Sequence, residues 1–314
     1  MEKIEDNHQP LLSICIPTYN RAEYLRKALE NITSDPAFNE SIEIVISDNA
    51  SVDNTRDVGE EYSSRYKNIR YFRNEENMRD ANFKMALHRA RGKYLRLSND
   101  TLRYRPGALS LMINKISESS EESGLFFYRT SIFSTPEDNY TVSDINGFLQ
   151  YASYFIGWIA NFGLWKADLD CLKVPRLYTE LMFVQVAWTL EILKKHKHTT
   201  VYFGDFHYTE EPAKKGTYNL FKVQQSNLLR ILRNYGLKGL ALEREKYRLF
   251  RYHIFPLLYS YVYCKNETGF NLTEPHKTII KEYWYHPYIY AAFLLGKLKA
   301  MLKKSAKVIK TITS

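Results

Sequence analysis

Three short apolar segments in the first hundred residues each end in a polar step, and this pattern limits the fold more than any other feature. The segments are residues 11–16, 42–46 and 94–97. Near-continuous apolar runs of this length are typical of strands buried on both faces of a parallel sheet. Tyr19 and Asp48, which follow the first two runs, are 29 residues apart, about one right-handed βαβ unit. The polar steps are therefore predicted to lie side by side at one edge of a sheet.

Helical patterns separate the strands. The first helix is predicted to start after Asn20, which would cap it with Glu23 reaching back. Another helix is predicted around 55–66, a short strand over 69–72, and a third helix that ends before Gly92, a C′ residue in this interpretation. This alternation predicts an α/β fold whose first part is a doubly wound nucleotide-binding half.

The third polar step, Ser98, Asn99 and Asp100, is the candidate phosphate site. Ligands of open α/β sheets bind outside the carboxyl ends of the strands. An aspartate there can hold Mg²⁺ or Mn²⁺ against a diphosphate, because hard oxygen ligands suit these cations. Taken alone, an Asn-Asp pair after a strand is in most cases an ordinary turn.

Composition narrows the class of protein. Of the 314 residues 45% are apolar, which predicts a folded core, and the net charge of +9 favours an anionic partner such as a nucleotide, a nucleic acid or a phospholipid. Cys15, Cys171 and Cys264 are too far apart for a zinc motif or a disulfide framework. Residues 1–10 are polar and lack the apolar segment of a signal peptide. We therefore expect a cytoplasmic protein.

Several nucleotide-binding classes are disfavoured by missing motifs. The segment after the first strand, residues 17–21, has no glycine, as a dehydrogenase or a P-loop NTPase would require there. A nucleotidyltransferase would need a glycine-rich basic loop at the same place. No RNA-recognition signature accompanies the positive charge, so no nucleic-acid partner is expected.

The motifs resemble those of family 2 glycosyltransferases with the GT-A fold, in particular bacterial surface-polysaccharide enzymes of the abequosyltransferase-like group. The similar segments are residues 13–21, 43–55 and 91–100, within a stronger resemblance over 11–110 and a fainter one over 150–210. The resemblance implies a Rossmann-like mixed sheet flanked by helices, and transfer of a sugar from a nucleotide diphosphate. UDP is the expected carrier, with dTDP, GDP and CDP as alternatives.

Site residues follow from the resemblance by position. Asp48 would accept a hydrogen bond from the base, and Asp100 matches the last aspartate of the metal-binding Asp-x-Asp motif, which implies Mg²⁺ or Mn²⁺ as the cofactor. The remaining nucleotide-binding candidates are Pro17, Thr18, Tyr19, Asn20, Arg21, Asn77, Asn82, Ser98 and Asn99. Only one carboxylate remains where the family commonly has two or three. The chain could therefore hold the metal through Asp100 alone, or could have lost metal dependence or activity.

An inverting transfer also needs a base for the acceptor hydroxyl. The resemblance places the acceptor side at residues 158–165 and the base near the start of a helix predicted over 180–195. Gln185 occupies the usual acidic place and is not a base, so Glu180 is the candidate, with Asp168 and Glu191 behind it. As an alternative, Glu180 is simply an acidic residue in the first turn of the helix, where the helix dipole favours negative charge. Lys214 and Lys215 are predicted in a loop that contacts phosphate or is merely solvated.

The C-terminal part differs in composition. We predict a tail at 1–10, a catalytic domain at 11–215, divided into a nucleotide half (11–110) and an acceptor half (111–215), and a helical basic region at 216–314. Residues 281–314 contain seven lysines and one glutamate. Apolar residues at helical spacing among these lysines predict a helix on an anionic membrane surface, or one packed on the protein with a solvated lysine face.

The sequence thus predicts a glycosyltransferase, peripheral on the inner face of the plasma membrane, that acts on a saccharide or lipid-linked acceptor in surface-polysaccharide synthesis. The alternative is a non-catalytic relative that serves as a membrane or complex partner. The sequence leaves the sugar, the acceptor and self-association into a homo-oligomer open.

Overall fold

The computed structural model describes residues 9–129, 139–209 and 218–313, with side chains up to residue 306. These residues form two compact units, one within 1–212 and the other within 213–314. We call them the N-terminal unit and the C-terminal unit.

The N-terminal unit is built on a five-stranded sheet with the order β3-β2-β1-β4-β8. The first four strands are parallel and β8 is antiparallel to β4. Their bounds are β1, Leu12–Thr18; β2, Ile42–Asp48; β3, Ile69–Arg73; β4, Tyr94–Leu97; and β8, Gly163–Trp165. Apolar side chains of β1, β2 and β4 are fully buried, as expected for strands covered on both faces. This mixed sheet flanked by helices confirms the predicted fold class.

Helices connect the parallel strands and cover the sheet. They are α1, Ala22–Thr33; α2, Thr55–Arg65; α3, Ala81–Arg89; and α4, Ala108–Glu118. Leu25, Leu29 and Ile32 of α1 are buried in the same core cluster as Ile14 and Ile44 of the sheet. Burial of this apolar stripe, rather than capping, is what fixes α1 on the sheet.

Two smaller sheets complete the N-terminal unit. One pairs β5, Leu102–Tyr104, with β10, His207–Thr209, and the other has the order β6-β9-β7. The remaining elements are β6, Gly124–Tyr128; β7, Asn139–Val142; α5, Ile145–Ala152; α6, Arg176–Glu180; α7, Val184–Lys195; β9, Thr199–Phe203; and 3-10 segments at Ser153–Gly157, Ile159–Asn161 and Lys166–Leu172.

The helix predicted over 180–195 is wrong at its start. The structure has two helices, α6 and α7, separated by a turn in which Met182 has a φ of 61°. Residues 181–183 are all apolar and carry no glycine or proline. The helical spacing of apolar residues therefore continues across the break and does not reveal it. Glu180 ends α6 instead of starting a long helix.

Two local predictions also fail. Asn20 does not cap α1; it has a φ of 51°, and its side-chain oxygen accepts a hydrogen bond from the Val52 amide at 2.8 Å. Gly92 is not a left-handed C′ residue. A Cβ on Gly92 would lie 2.6 Å from Ser13 Oγ and 2.8 Å from the Ser13 amide nitrogen, so close backbone approach is what requires glycine there.

The C-terminal unit is helical. Its helices are α8, Leu228–Asn234; α9, Gly239–Leu249; α10, Phe255–Leu257; α11, Pro275–Tyr283; and α12, Pro287–Thr313, with π-helical turns at Lys222–Asn227, Phe250–Ile254 and Leu258–Tyr263. Within the described residues, no helix combines the length and the apolar character needed to cross a membrane.

Candidate active site

Asp100 lies at the centre of the polar strand ends and is 3% exposed. Its Oδ2 accepts a hydrogen bond from the Thr18 hydroxyl at 2.9 Å, and its Oδ1 lies 3.0 Å from Nη1 of Arg21. Thr18 ends β1 and Arg21 precedes α1, whereas Asp100 follows β4, the neighbouring parallel strand. The sheet topology therefore unites three of the predicted site residues.

The charge of Asp100 is balanced by donors from its own chain. Burial raises the pKa of the Asp100 carboxyl above its ordinary value, while the charges of Arg21 and Arg103 and the Thr18 hydroxyl offset part of that rise. Arg103 Nη1 also donates to the Asp100 carbonyl oxygen at 3.3 Å. One carboxylate thus lies among two guanidinium groups.

Asp48, the predicted base-binding residue, is fully buried at the end of β2. Its Oδ1 accepts from the Ser51 amide at 2.9 Å, and its Oδ2 accepts from the Tyr71 hydroxyl at 2.7 Å. Arg73 Nε lies 3.7 Å from Oδ2. The Ser51 hydroxyl in turn accepts from the Asn20 amide at 2.9 Å, which ties the turn after β1 to the turn after β2. The role of Asp48 toward a base stays a prediction.

Asn82 is buried and bonded to β2. Its Nδ2 donates to the Ser47 carbonyl at 2.8 Å, and its Oδ1 accepts from the Ser47 hydroxyl at 2.6 Å and from Asn74 Nδ2 at 2.9 Å. Asn77 Oδ1 accepts from Asn49 Nδ2 at 2.8 Å. Both asparagines thus brace the loop between β3 and α3 against β2.

The other predicted nucleotide-binding residues lie on the same edge of the sheet with different exposure. Tyr19 is 43% exposed and Asn20 is exposed, while Pro17 is half-buried. Ser98 is buried and its amide donates to the Cys15 carbonyl at 2.8 Å; Asn99 is half-buried. The exposed Tyr19 ring is thus the strongest candidate among them for stacking on a base.

A divalent cation requires several oxygen ligands, and Mg²⁺ near-octahedral geometry. Both oxygens of Asp100 already accept bonds from Thr18 and Arg21. Ser98 and Asn99 stand where further carboxylates are expected, and the described part of the chain contains no cluster of three acidic, histidine or cysteine side chains that could hold a metal. In this arrangement the donor set does not fit a bound Mg²⁺ or Mn²⁺.

The three candidate bases differ in their surroundings. The Glu180 side chain is 60% exposed and lies 3.3 Å from Nε of Arg176, one turn back on α6. Asp168 is 1% exposed and pairs with Lys195 at 2.6 Å and His196 at 2.8 Å, as a structural ion pair does. Glu191 lies 3.6 Å from Lys194. Gln185 is buried and donates to the Gly157 carbonyl at 2.8 Å. Glu180 has the most exposed side chain of the three candidates and is therefore the most accessible to an acceptor.

A polar cluster missed from the sequence joins the acceptor segment to β10 and to the residues that follow β5 and β6. The His207 ring lies 5.0 Å from the Trp158 ring, over which the guanidinium of Arg129 lies at 5.4 Å. Asp205 pairs with Arg105 at 3.0 Å and with Arg129 at 3.7 Å. These residues are far apart in sequence and share no motif, so no sequence signal connects them. Lys214 and Lys215 lie outside the described residues.

Sequence comparison assigns part of the chain to a family. Residues 13–155 match the model of glycosyl transferase family 2, a span that contains β1, β2, β4 and the Asp100 cluster. Residues 13–155 belong to glycosyltransferase family 2. The segment that matches abequosyltransferase RfbV of Salmonella typhimurium is 45% identical over 86 residues and covers 27% of this chain and 26% of RfbV.

A second relative is the Campylobacter jejuni GalNAc(5)-diNAcBac-PP-undecaprenol beta-1,3-glucosyltransferase, 31% identical over 111 residues that cover 35% of each chain. The chain thus spans about a quarter to a third of the length of these two relatives.

Solved structures establish the fold beyond the matched segment. Staphylococcus aureus TarS 1–349 in complex with UDP superposes with a TM-score of 0.55 at 16% identity, covering 79% of this chain and 74% of TarS 1–349. The Pyrobaculum calidifontis mannosyltransferase PcManGT, in complex with GDP-Man and Mn²⁺, gives 0.54 at 13% identity, covering 95% and 87%. The fold of this chain is therefore GT-A.

Proposed function

We propose that this protein transfers a sugar from a nucleotide diphosphate to a saccharide or lipid-linked acceptor in bacterial surface-polysaccharide synthesis, with inversion at the anomeric carbon. The observation that carries the proposal is the convergence of Thr18, Arg21 and Asp100 at the strand ends inside the matched family segment. The similarity to the abequosyltransferase RfbV supports sugar transfer, and the similarity to the Campylobacter glucosyltransferase, named for an undecaprenol-linked saccharide, supports the acceptor class.

In the proposed transfer, the acceptor hydroxyl oxygen forms a bond to the anomeric carbon as the bond from that carbon to the diphosphate oxygen breaks. The electron pair leaves on the diphosphate, and the hydroxyl proton passes to a base. Glu180 is the proposed base, since it is the most exposed of the three candidates. Tyr19 is proposed to stack on the base of the nucleotide, and Asp48 to hold the turn around it.

The Mg²⁺ or Mn²⁺ expected from the resemblance remains a prediction, which the donor set around Asp100 disfavours. We therefore assign to the chain itself what its residues can do. Arg21 carries positive charge at the phosphate end of the site, the Thr18 hydroxyl orients Asp100, and the paired strand ends keep the site rigid before substrate arrives.

The test is titration calorimetry with UDP, GDP, CDP and dTDP, followed by a turnover assay with sugar conjugates of the diphosphate that binds. We expect one diphosphate to bind, UDP by preference, and Glu180→Gln to retain binding while turnover falls by about 10²–10⁴-fold. Asp170→Asn, another exposed acid, serves as the matched control with unchanged turnover. If no diphosphate binds, the non-catalytic alternative replaces the enzyme.

We further propose that the C-terminal unit contacts an anionic membrane. Leu294, Leu295 and Leu302 of α12 are 61–72% exposed, although aliphatic side chains at such exposure are unfavourable in water. An apolar groove of about 510 Å³ in this unit is lined by aromatic side chains together with Arg251 and Lys299. Apolar area beside lysines and arginines is the composition that interfacial helices use on anionic lipids.

Co-sedimentation with vesicles tests this placement. We expect the protein to sediment with phosphatidylcholine vesicles that contain phosphatidylglycerol and to stay in the supernatant with phosphatidylcholine alone. Deleting 281–314 is a poor test, because Tyr283, Ile289 and Phe293 in that range are buried and their loss would expose a core. Equal sedimentation with both vesicle types would contradict the electrostatic part of the proposal.

A further inference from the structure

The feature from which we infer a further function is the ion pair between Arg21 and Asp100. The resemblance to family 2 glycosyltransferases implies that the Asp100 carboxylate binds a metal, yet its partner in the structure is a guanidinium. The two residues are 79 positions apart and meet at 3.0 Å. The Asp100 side chain is 4% exposed and that of Arg21 is 31% exposed, so the acid lies inside and the base faces the opening.

The bonding of Asp100 is unfavourable for a metal ligand. A cation that approached Oδ1 would meet the Arg21 guanidinium, and one that approached Oδ2 would compete with the Thr18 hydroxyl for that oxygen. With Arg103 also close to Asp100, the immediate charge is already positive before any ligand arrives. A divalent cation adds charge of the same sign, whereas a nucleoside diphosphate brings the opposite sign.

Arg21 is well arranged to receive phosphate oxygens. Only its Nη1 is used by Asp100; for Nε and Nη2 no hydrogen-bond partner occurs in the portion of the chain that the structure describes. Its backbone amide is held by Thr55 Oγ1 at 3.1 Å, which fixes the residue at the start of α1. A guanidinium offers several donors in a planar fork that matches phosphate oxygens, and it stays charged at any physiological pH.

We infer that Arg21, held by Asp100, takes the place of the divalent cation and binds the diphosphate of the donor without metal. Asp100 acts as a positioning residue for Arg21 in this arrangement. The inference rests on the proposed function, since it concerns the same donor site. As the bond to the sugar breaks, Arg21 stabilises the negative charge that develops on the leaving diphosphate.

The first experiment uses the unmodified full chain. UDP, GDP, CDP and dTDP are titrated calorimetrically in buffer with EDTA and in buffer with MnCl₂. We expect the diphosphate that binds to do so with affinities that agree within about threefold in the two buffers. Binding at least thirtyfold tighter with manganese, and undetectable in EDTA, would overturn the inference while leaving the glycosyltransferase proposal intact. Absence of binding in both buffers overturns both.

Variants then identify the cation that replaces the metal. We expect Arg21→Ala to weaken diphosphate binding at least tenfold in EDTA and Arg21→Lys to give an intermediate loss, since lysine keeps the charge and loses the fork. Arg26→Ala on the same helix is the matched control, because Arg26 pairs with Glu61 on the surface and should leave binding unchanged. Equal affinities for Arg21→Ala and Arg26→Ala would refute the assignment.

Asp100→Asn separates positioning from metal ligation. The amide keeps the shape of the side chain and can still accept from one donor. In EDTA we expect Asp100→Asn to lose less than tenfold in diphosphate affinity, because a negative charge near the phosphates is removed along with one bond to Arg21. A metal ligand behaves differently: its loss abolishes a manganese-dependent gain in affinity. Observation of such a gain in the unmodified chain, and its disappearance in Asp100→Asn, contradicts the inference.

Discussion

The strand ends of the N-terminal unit and helix α12 of the C-terminal unit differ in which side chains they bury and which they expose to solvent. At either end of the parallel strands, charged side chains such as Glu43 at the start of β2, Asp48 at its end and Asp100 after β4 are buried, and each is bonded to several donors. On α12, leucines such as Leu294 and Leu298 are 61% and 46% exposed. One region places charge inside, and the other leaves apolar area outside.

This contrast predicts that the strand ends determine the stability of the fold, whereas α12 contacts another surface. A buried charge is tolerated only with its partners in place, so the strand ends should be sensitive to any lost partner. Exposed leucines contribute little to the folded state, so α12 should tolerate polar substitution until a surface covers it.

The largest effect is expected at Glu43, which is 2% exposed near the start of β2. Its carboxylate accepts from the Ser13 hydroxyl, from the Arg91 amide at 2.7 Å and from Arg70 Nη1 at 2.8 Å. Glu43→Ala leaves three donors without their acceptor, and we expect the free energy of unfolding to fall by about 3–5 kcal/mol. Urea denaturation followed by circular dichroism measures it.

Glu61→Ala is the control for Glu43→Ala. Glu61 also accepts from an arginine, Arg26, at 2.7 Å, but both side chains are at least 40% exposed. We expect the same urea midpoint as in the unmodified chain, because water screens such a pair. Equal shifts for the two glutamate variants would show that burial does not distinguish the strand ends from the surface.

A smaller effect is expected from His207, which is fully buried with both ring nitrogens lacking a hydrogen-bond partner among the described residues. Burial, aided by the charges of Arg96 and Arg129, holds the pKa of His207 well below its ordinary value. Below about pH 6.5 the unfolded chain therefore takes up a proton that the folded chain does not, and stability falls as the pH falls.

His207→Phe should remove this contribution while keeping an aromatic ring against Trp158. Between about pH 6.5 and pH 5 we expect the variant to lose less stability than the unmodified chain, by up to about 1.4 kcal/mol per pH unit. Urea midpoints at pH 7.5 and 5.5 give the comparison. Burial also lowers the pKa of His253 in the C-terminal unit to about 4, so some pH dependence should remain in His207→Phe. Identical pH dependence in both proteins would mean that His207 is protonated inside the fold.

The strands of the nucleotide half could be predicted from the sequence. The contacts between the polar side chains at their ends could not. Residues 11–16 and 42–46 are apolar because both faces of those strands are covered, and that physical cause leaves a direct trace in the sequence. The bond between Arg21 and Asp100 leaves no such trace. It depends on which strands are neighbours, and the spacing of residues along the chain does not encode a distance of 3.0 Å.

Two further features that the sequence did not reveal also depend on tertiary structure. The break at Met182 interrupts an apolar stretch that fits one continuous helix, because packing within the unit rather than local propensity decides the turn. On α12 the periodicity indicates an apolar face but not which part is covered: Ile289 is buried and Phe293 is 9% exposed, whereas Leu294 and Leu295 are largely exposed.

The smallest effect on folding is expected on that exposed face of α12. Leu294→Glu combined with Leu298→Glu changes two side chains of which about half or more is already in water. The free energy of unfolding should therefore change by no more than about 0.5 kcal/mol. Partition onto phosphatidylglycerol vesicles should fall at least about tenfold, since two leucines no longer enter the lipid and two anions meet an anionic surface.

Leu111→Glu distinguishes a lipid-facing helix from any exposed leucine, because Leu111 on α4 of the N-terminal unit is 44% exposed, about as much as Leu298. Vesicle binding should survive Leu111→Glu and be lost only with the α12 changes. If both variants bind vesicles equally well, lysines alone account for any attraction. If the α12 variant instead unfolds at a lower urea concentration than the unmodified chain, those leucines are part of a folded core. The proposed difference between α12 and the strand ends would then be wrong.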